Sequence, residues 1–297
     1  MNRNDFIEKL TRGVLLFDGG MGTQIQAMGL QVGESPEGWN VTYPDRIRTI
    51  HKNYIAAGAE ILTTNSFGGS RYKLEKAGLG DRVSQINLQA AAIARSAAEK
   101  DVLVAGSVGP TGEFLHPLGT VHPEEMEGQF KLQVKALLDG GADLIVVETM
   151  TALEEAQLAV KAARSLGEFP IIGSMTFDPT KVGYRTMMGV DVSAGMQGLI
   201  EAGADVVGSN CGNGIDHFIE IVKEIRTVTD KPILAEANAG LPELIDGKTV
   251  YRESPEIMAG KLPLLLEAGV NIVGGCCGTT PEYIRLFAEI IAGREGK

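Results

Sequence analysis

The chain alternates between two kinds of segment, and this alternation constrains its fold more than any other feature. Short apolar runs rich in Val and Ile are separated by longer stretches rich in Ala, Leu and Glu with helical periodicity. Each short run is apolar on both sides, which is typical of a parallel sheet covered on both faces. The predicted strands are residues 14–17, 60–64, 102–105, 144–148, 171–175, 206–209, 233–236 and 271–274.

A weak internal repeat indicates how the strands are connected. A glycine-containing tetrapeptide separates a helical stretch from a strand at 57–60, 140–143, 202–205 and 268–271. Its glycine is the residue expected just after a helix end, where φ is positive. Such units in a chain without a linker predict an α/β fold, a (β/α)8 TIM barrel, as a single domain over residues 1–297. A doubly wound open sheet is the alternative.

The barrel prediction requires chemically capable side chains at the strand ends, because active sites of this fold occupy the C-terminal face. The chain meets this requirement. The polar residues at the predicted strand ends are Asp18, Asn65, Ser107, Glu148, Thr176, Cys211, Asn238, Cys276 and Cys277. All three cysteines of the chain are among them, so we expect the thiols at the mouth of the barrel.

Charge and cysteine count narrow the class of function. The formal net charge of -11 argues against a nucleic-acid surface, which needs clustered Lys and Arg. No apolar run is long enough for a membrane span, and the N-terminus lacks the apolar run of a signal peptide, so we predict no membrane association and a cytoplasmic location. An odd number of cysteines does not describe a disulfide framework. The thiols are therefore core residues, a redox site or metal ligands.

The placement of the cysteines favours a metal. Cys211 ends the sixth strand, and Cys276 and Cys277 end the eighth, so the three side chains can converge. Adjacent residues of a regular strand point to opposite faces, so the pair can share a metal only where the strand bends, as the surrounding glycines permit. Three thiolates suit zinc with one open position. From spacing alone, buried core cysteines and a glycine-rich phosphate-binding loop remain alternatives.

Several motifs resemble those of the homocysteine S-methyltransferase family, from about residue 14 to residue 290. The most specific is Gly-Gly-Cys-Cys-Gly-Thr-Thr-Pro-Glu at 274–282. The others are Asp-Gly-Gly-Met-Gly-Thr at 18–23, Thr-Asn-Ser-Phe-Gly at 64–68, Gly-Pro-Thr-Gly-Glu at 109–113, Glu-Thr-Met at 148–150, Ser-Met-Thr-Phe at 174–177, Asn-Cys at 210–211 and Asn-Ala-Gly at 238–240. Within the family, the likeness is greatest to the homocysteine-binding barrels of cobalamin-dependent methionine synthases.

The resemblance implies a zinc site and a catalytic role for the cysteines. Zinc would be held by Cys211, Cys276 and Cys277. Asn238 would fill the fourth position until the substrate arrives. Zinc removes the proton of a coordinated thiol, so homocysteine would bind as a thiolate whose sulfur attacks a methyl group to give methionine.

The resemblance also implies a substrate-binding set. Asp18 and Glu148 would bind the amino group of homocysteine, and backbone N–H groups around Gly19 and Gly20 could hold its carboxylate. Asn65 is a further substrate-binding candidate. The roles of Trp39, His116 and His122 stay open, and the run at 71–73 is interpreted as a solvated helix face.

The methyl donor is the least constrained part of the prediction. The resemblance favours methylcobalamin carried by a separate domain or corrinoid protein. The chain contains no Asp-x-His-x-x-Gly corrinoid motif, and we expect either a stand-alone protein or an excised domain. A betaine- or S-methylmethionine-type enzyme with a small donor is the alternative within the family. Outside it, the alternatives are a phosphate-binding barrel lyase or isomerase with core cysteines, and a thiol- or zinc-binding module without turnover.

Overall fold

The computed structural model describes residues 1–98, 100–245 and 248–295, and its main feature is an eight-stranded sheet. The strands are β1 (Leu15–Leu16), β2 (Ile61–Thr63), β3 (Leu103–Val108), β4 (Leu144–Met150), β5 (Ile171–Met175), β6 (Val206–Asn210), β7 (Ile233–Ala237) and β8 (Ile272–Gly275). From β2 to β8 each strand pairs in parallel with the next, and β8 pairs with β1. A bridge between Phe17 and Ile61 joins β1 to β2 and closes the barrel. The predicted strands and the (β/α)8 fold are confirmed, and the open sheet is rejected.

Helices surround the strands and also cover the N-terminal end of the barrel. They are α1 (Arg3–Arg12), α2 (Met21–Ala27), α3 (Trp39–Thr42), α4 (Pro44–Ala56), α5 (Arg71–Lys76), α6 (Val83–Ala97), α7 (Pro123–Asp139), α8 (Leu153–Arg164), α9 (Val192–Ala202), α10 (Ile215–Val228), α11 (Pro255–Glu267) and α12 (Pro281–Glu295). Among the described residues, no helix combines the length and apolar character that crossing a bilayer requires.

Two antiparallel hairpins extend the loops at the C-terminal end. The β5 hairpin pairs Asp178–Thr180 with Gly183–Arg185. The β7 hairpin pairs Glu243–Ile245 with Lys248–Val250. The sequence analysis did not anticipate either hairpin.

The apolar residues form two layers, one on each side of the strands. The barrel interior contains a cluster that includes Phe17, Val146 and Leu234, and Phe6 and Leu10 of α1 close it at the N-terminal end. A larger cluster fills the space between the strands and the outer helices. Burial on both sides explains why each strand reads as a continuous apolar run.

The four repeats found in the sequence lie at the N-terminal end of the barrel, where each makes a hydrogen bond to a neighbouring strand. Their glycines follow helices and have φ between 98° and 110°, as predicted: Gly58, Gly141, Gly203 and Gly269. The polar residue that ends each repeat accepts a hydrogen bond of 2.9–3.0 Å from a backbone N–H of the preceding odd-numbered strand. The acceptors are Glu60, Asp143, Asp205 and Asn271, and the donors are Leu16, Val104, Ile171 and Ile233.

Arginines complete three of the four repeats. Arg95 pairs with Asp143, Arg164 pairs with Asp205, and Arg226 donates to Asn271. Each also donates to the carbonyl of the repeat glycine. Beside Gly58, the neighbouring side chain is that of Ala288 instead.

Candidate metal centre

Three thiols converge at the C-terminal mouth of the barrel. The Sγ atoms of Cys211, Cys276 and Cys277 all lie within 4.8 Å of one another, and those of Cys211 and Cys277 are 4.0 Å apart. All three residues are free and half-buried. The convergence expected from the strand ends is therefore present, and the set consists of the soft donors that zinc prefers.

A strained turn directs Cys211 into the mouth. β6 ends at Asn210, and Cys211 has φ of 64°, a left-handed conformation uncommon outside glycine. Two backbone hydrogen bonds hold it there, since its N–H donates to the carbonyl of Glu236 and its carbonyl accepts from the N–H of Asn213, both at 3.0 Å. Strain of this kind persists where the surrounding structure fixes it, and it is common at functional sites.

The adjacent cysteines share one site because the chain bends directly after β8. The N–H of Cys276 continues the ladder by donating to the carbonyl of Ala237 at 2.9 Å. The N–H of Cys277 instead donates to the Asn238 side-chain oxygen at 3.1 Å. Thr279 then caps the bend by donating from its hydroxyl to the Cys276 carbonyl at 2.7 Å. The helix predicted after the pair is α12.

The loop after β1 clamps this bend. Gly20 donates its N–H to the hydroxyl oxygen of Thr279 at 3.0 Å, and Gly278 donates to that of Thr23 at 2.9 Å. A Cβ on Gly20 would lie 2.7 Å from the Cys276 carbonyl oxygen, and one on Gly19 would lie 2.8 Å from the Thr279 hydroxyl. Both glycines are thus needed for close packing. That their N–H groups bind the substrate carboxylate stays a prediction.

Hydrogen bonds among the thiols distribute their protons unequally. The pKa of Cys277 is lowered to about 3 because the thiols of Cys211 and Cys276 donate hydrogen bonds to its sulfur. Hydrogen bonds with the thiol of Cys211 and then with that of Cys277, together with burial, raise the pKa of Cys276 well above its usual value. The cluster by itself therefore favours one thiolate, and three thiolates require a cation that displaces the remaining protons.

Three carboxylates from β1, β4 and β7 lie at the same end of the barrel. Asp18 and Glu236 are buried and Glu148 is half-buried. Desolvation raises the pKa of Asp18 to about 8 and that of Glu148 to about 7. Desolvation, and then the charges of Glu148 and Asp18, raise the pKa of Glu236 well above its usual value. Among the described residues no cation pairs with any of them, so the cluster is suited to a positively charged group.

A second strained residue orients Glu148. Its carboxylate accepts hydrogen bonds from the Ser107 hydroxyl and, at 3.2 Å, from the side-chain amide of Asn210. The next residue, Thr149, has φ of 58°, which is a genuine outlier for a β-branched residue. Asn210 fixes this conformation by accepting from the Thr149 N–H and donating to its hydroxyl, both at 2.7 Å.

The sequence analysis missed two of these residues. Glu236 precedes Asn238 by two positions, and its charge within the apolar run Ile-Leu-Ala-Glu-Ala was a signal that could have been used. Asn210 was quoted only as part of the Asn-Cys motif. Its role depends on the bend at Thr149, which no local pattern announces.

Other predicted residues have structural partners. The Asn65 side-chain amide donates to the Pro36 carbonyl at 2.8 Å and to Asn40 at 3.0 Å, so it ties two loops together. Its role in substrate binding, like that of Asn238 as a metal ligand, stays a prediction. Trp39 is buried and donates its indole N–H to Glu34. The rings of His116 and His122 stack with centroids 5.6 Å apart in the loop after β3.

The fold and the site together define a (β/α)8 barrel with a three-thiol cluster at its mouth. The family model for homocysteine S-methyltransferase matches residues 15–291. The chain therefore belongs to the homocysteine S-methyltransferase family, as the motifs indicated. A phosphate-binding lyase or isomerase is rejected as the alternative.

The relatives are longer than this chain. It is 32% identical over 306 residues to methionine synthase of Mycobacterium tuberculosis (strain ATCC 25618 / H37Rv), an alignment that covers 97% of this chain and 25% of that protein. The identity to methionine synthase of Mycobacterium leprae (strain TN) is 31% over the same shares. The chain thus spans one quarter of the length of these relatives.

Solved structures agree on the fold. The metallated form of the homocysteine methyltransferase MmuM from Escherichia coli superposes with a TM-score of 0.79 at 24% identity, covering 94% of this chain and 96% of that chain. The carboxyl transferase domain of Rhizobium etli pyruvate carboxylase gives a TM-score of 0.55 at 17% identity, covering 99% and 50%. At these identities the likeness supports the barrel fold alone.

Proposed function

We propose that this chain is a zinc-dependent homocysteine S-methyltransferase that forms methionine. The observation that carries the proposal is the convergence of Cys211, Cys276 and Cys277 at the barrel mouth, with all Sγ atoms within 4.8 Å of one another. Asp18, Glu148 and Glu236 lie at the same end. A site for a thiolate and a site for an ammonium group are what an amino-acid thiol requires.

The three cysteines fit zinc by the chemistry of their donors. Thiolate sulfur is a common zinc ligand, and three protein ligands leave a fourth position for a substrate. When bound, zinc supplies a positive charge that keeps a coordinated thiol deprotonated at neutral pH. We propose Asn238 as the ligand that occupies the fourth position without substrate. Its side chain already lies next to the Cys277 backbone.

The carboxylates fit the amino group of the substrate. Asp18 accepts from the Thr63 N–H at 2.9 Å, and Glu148 accepts from Ser107 and Asn210, so both are fixed in position. Neither has a cationic partner among the described residues. An incoming ammonium group would lower the raised pKa of both carboxyls and stabilise their charged forms.

We propose a methylcorrinoid protein or domain as the methyl donor. The chain spans one quarter of its methionine synthase relatives, which therefore carry further segments. Exposed apolar side chains also rim the mouth, on the loops after β2, β3, β5 and β7, as expected of a surface that meets another protein. They are Phe67, Phe114, Leu118, Val182, Met187, Met188, Leu241 and Leu244.

The test is a methyl-transfer assay on zinc-loaded protein. Zinc content is measured first, and absorbance of methylcobalamin is then followed with and without homocysteine. We expect about one zinc per chain and a loss of the methylcobalamin spectrum that requires homocysteine and yields equal methionine. Methionine formed only from betaine or S-methylmethionine would replace the corrinoid donor with a small one. Zinc-loaded protein that makes no methionine from any of these donors would contradict the proposed activity.

A further inference from the structure

Asn210 is a buried residue whose side chain reaches across two neighbouring strands. It is the last residue of β6 and is fully buried. Its amide oxygen accepts from the Thr149 N–H and from the Ser174 hydroxyl, both at 2.7 Å. Its amide nitrogen donates to the Thr149 hydroxyl at 2.7 Å and to the Glu148 carboxylate at 3.2 Å. The side chain therefore uses both of its donors and both of its acceptor positions within the protein.

These contacts hold Asn210 in one conformation. A buried amide that turns away from its partners leaves several polar groups unpaired, so a fully paired amide is rigid. The backbone of the same residue is fixed as well, because its carbonyl accepts from the Thr176 hydroxyl at 2.9 Å. Through Ser174 the bonds reach β5, and through Glu148 they reach β4. Asn210 thus joins three strands at the mouth of the barrel.

The next residue along the chain belongs to the thiol cluster. Cys211 directly follows Asn210 and has the left-handed φ of 64°. Its Sγ lies within 4.8 Å of those of Cys276 and Cys277. Asn210 is therefore bonded covalently to one proposed zinc ligand, while its side chain is hydrogen-bonded to Glu148, a proposed partner of the ammonium group. One residue thus connects the site for sulfur with the site for nitrogen.

The separation of these two sites matters for an amino-acid thiol. Its sulfur and its nitrogen are joined by a short carbon chain, which is one methylene group longer in homocysteine than in cysteine. When the thiol cluster and the carboxylate are held at a fixed separation, one chain length fits both sites better than the other. A mobile carboxylate would instead adapt to either length, and the preference would be lost.

We infer that Asn210 is a positioning residue that selects the chain length of the substrate by fixing Glu148 relative to Cys211. The inference rests on the proposed function, which assigns the sulfur to the cysteines and the ammonium group to Glu148. The side chain of Asn210 acts through Glu148, because its own hydrogen-bonding groups are already paired within the protein. Its effect is therefore confined to ligands that have both a thiol and an amine.

The experiment compares three ligands in zinc-loaded wild type, Asn210→Ala and Ser209→Ala. Each protein is titrated calorimetrically with homocysteine, with cysteine and with 4-mercaptobutanoate, which is homocysteine without its amino group. Ser209→Ala is the matched control, because it changes the preceding residue of β6, which is also buried and whose hydroxyl has no hydrogen-bond partner among the described residues. Zinc content is measured for every protein, and no methyl donor is present.

We expect wild type to bind homocysteine about 10- to 200-fold more tightly than cysteine, the usual effect of one methylene group. In Asn210→Ala, homocysteine affinity should fall by about tenfold or more, while cysteine affinity stays the same, so most of this preference is lost. Affinity for 4-mercaptobutanoate and zinc content should not change, and Ser209→Ala should behave as wild type. Equal loss for all three ligands, or an unchanged preference for homocysteine, would overturn the assignment of Asn210 while leaving the proposed function intact.

A second measurement tests whether Asn210 acts through Glu148. Homocysteine affinity is compared in Asn210→Ala, Glu148→Gln and the double variant. We expect Asn210→Ala to change the affinity of the Glu148→Gln protein by less than about twofold, and full multiplication of the two single effects would overturn the inference.

Ser174→Ala provides the same test without truncating Asn210, in case Asn210→Ala does not fold. It removes the hydroxyl that donates to the Asn210 amide oxygen, so the preference for homocysteine should decrease in the same direction. An unchanged preference in Ser174→Ala would then overturn the assignment. If zinc-loaded wild type binds neither homocysteine nor cysteine, the proposed function itself is contradicted, and the assignment of Asn210 with it.

Discussion

The two ends of the barrel treat their carboxylates in opposite ways. At the N-terminal end, buried Asp205 accepts from the Ile171 N–H and pairs with Arg164 at 2.6 Å and Arg3 at 2.7 Å. At the C-terminal end, buried Asp18 likewise accepts from a strand N–H, that of Thr63. It has no cationic partner among the described residues. The backbone contact is the same at both ends, and the counterion is the difference.

The paired carboxylates at the N-terminal end stabilise the fold, whereas the unpaired ones at the C-terminal end are suited to binding a ligand. An acid that is buried without a cation costs free energy unless it becomes protonated or gains a partner. The N-terminal end removes that cost with arginines, whereas the C-terminal end keeps it. A cost retained at the end where barrel enzymes act indicates that the missing partner is a ligand.

The largest effect should come from Cys276→Ala. Two cysteine ligands bind zinc much more weakly than three, so we expect the variant to lose zinc. Methyl transfer should decrease on the order of 1000-fold or more, with the barrel still folded. Zinc analysis, turnover and circular dichroism measure the three quantities. Ser209→Ala, which changes a buried residue two positions before Cys211, is the control and should keep zinc. Retained zinc with normal turnover in Cys276→Ala would remove the thiol cluster from the mechanism.

Arg164→Met should affect the opposite end. Arg164 donates to Asp205 and to the carbonyls of Gly167, Phe169 and Gly203. Its loss should lower the free energy of unfolding by about 3 kcal/mol, the cost of breaking a buried pair. Urea denaturation measures the change, while zinc content and homocysteine affinity should stay as in wild type.

The control for Arg164 is Arg285→Met, which removes an exposed pair with Glu289. It should leave the unfolding curve unchanged. Equal stability of the Arg164 and Arg285 variants would show that the hydrogen bonds and ion pairs of the repeats at the N-terminal end contribute little to the free energy of unfolding.

His51 sharpens the comparison, because it is a buried polar residue away from both ends. It lies on α4 and is fully buried, and neither ring nitrogen has a hydrogen-bond partner in the part of the chain that the structure describes. Burial lowers its pKa from 6.5 to about 4. The unfolded chain therefore binds more protons between these values, so stability is complete above pH 6.5 and decreases as the pH falls toward 4.

The full effect of His51 should be about 3 kcal/mol, since one pKa unit corresponds to about 1.4 kcal/mol. His51→Leu should abolish this part of the pH dependence in urea melts between pH 4 and 7. An unchanged pH dependence in that variant would mean that His51 does not carry it.

The smallest effect is expected from Glu148→Gln. This substitution should weaken homocysteine binding but increase the stability of the fold. The KM for homocysteine should rise about tenfold through loss of a charged contact, with zinc retained. Because desolvation raises the pKa of Glu148 to about 7, the carboxylate destabilises the fold as the pH rises from 4.5 through 7. The variant should therefore be more stable than wild type by about 1 kcal/mol above pH 7 after solvent screening, and no more stable below pH 4.5. Unchanged homocysteine binding would remove Glu148 from the site.

Local sequence patterns could predict the barrel and the thiols, but not the network between them. The strands are continuous apolar runs, and Cys211 and the Cys276–Cys277 pair end two of them, so their convergence follows from topology. β3 continues past its predicted end to Val108, with the polar Ser107 inside its ladder with β4. β4 continues past Glu148 to Met150 through a register shift between Val147 and Met150, which no local pattern announces. The side chain of Asn210 joins β6 to Glu148 and Thr149, and side-chain pairing across space leaves no periodic signal.

The closure of the barrel has a consequence for how ligand binding and folding are linked. β1 is two residues long, and it joins the β2 segment through the bridge between Phe17 and Ile61 and two backbone hydrogen bonds, from Glu60 to Leu16 and from Asp18 to Ile61. The same segment continues into Asp18 and into the glycines that clamp the cysteine bend. A local opening between β1 and β2 would therefore remove the proposed amine-binding group, Asp18, and the support of the thiol loop in one event. Any ligand that binds only when β1 and β2 are joined stabilises the closed barrel against this local opening. We therefore expect bound substrate to slow amide hydrogen exchange along β1.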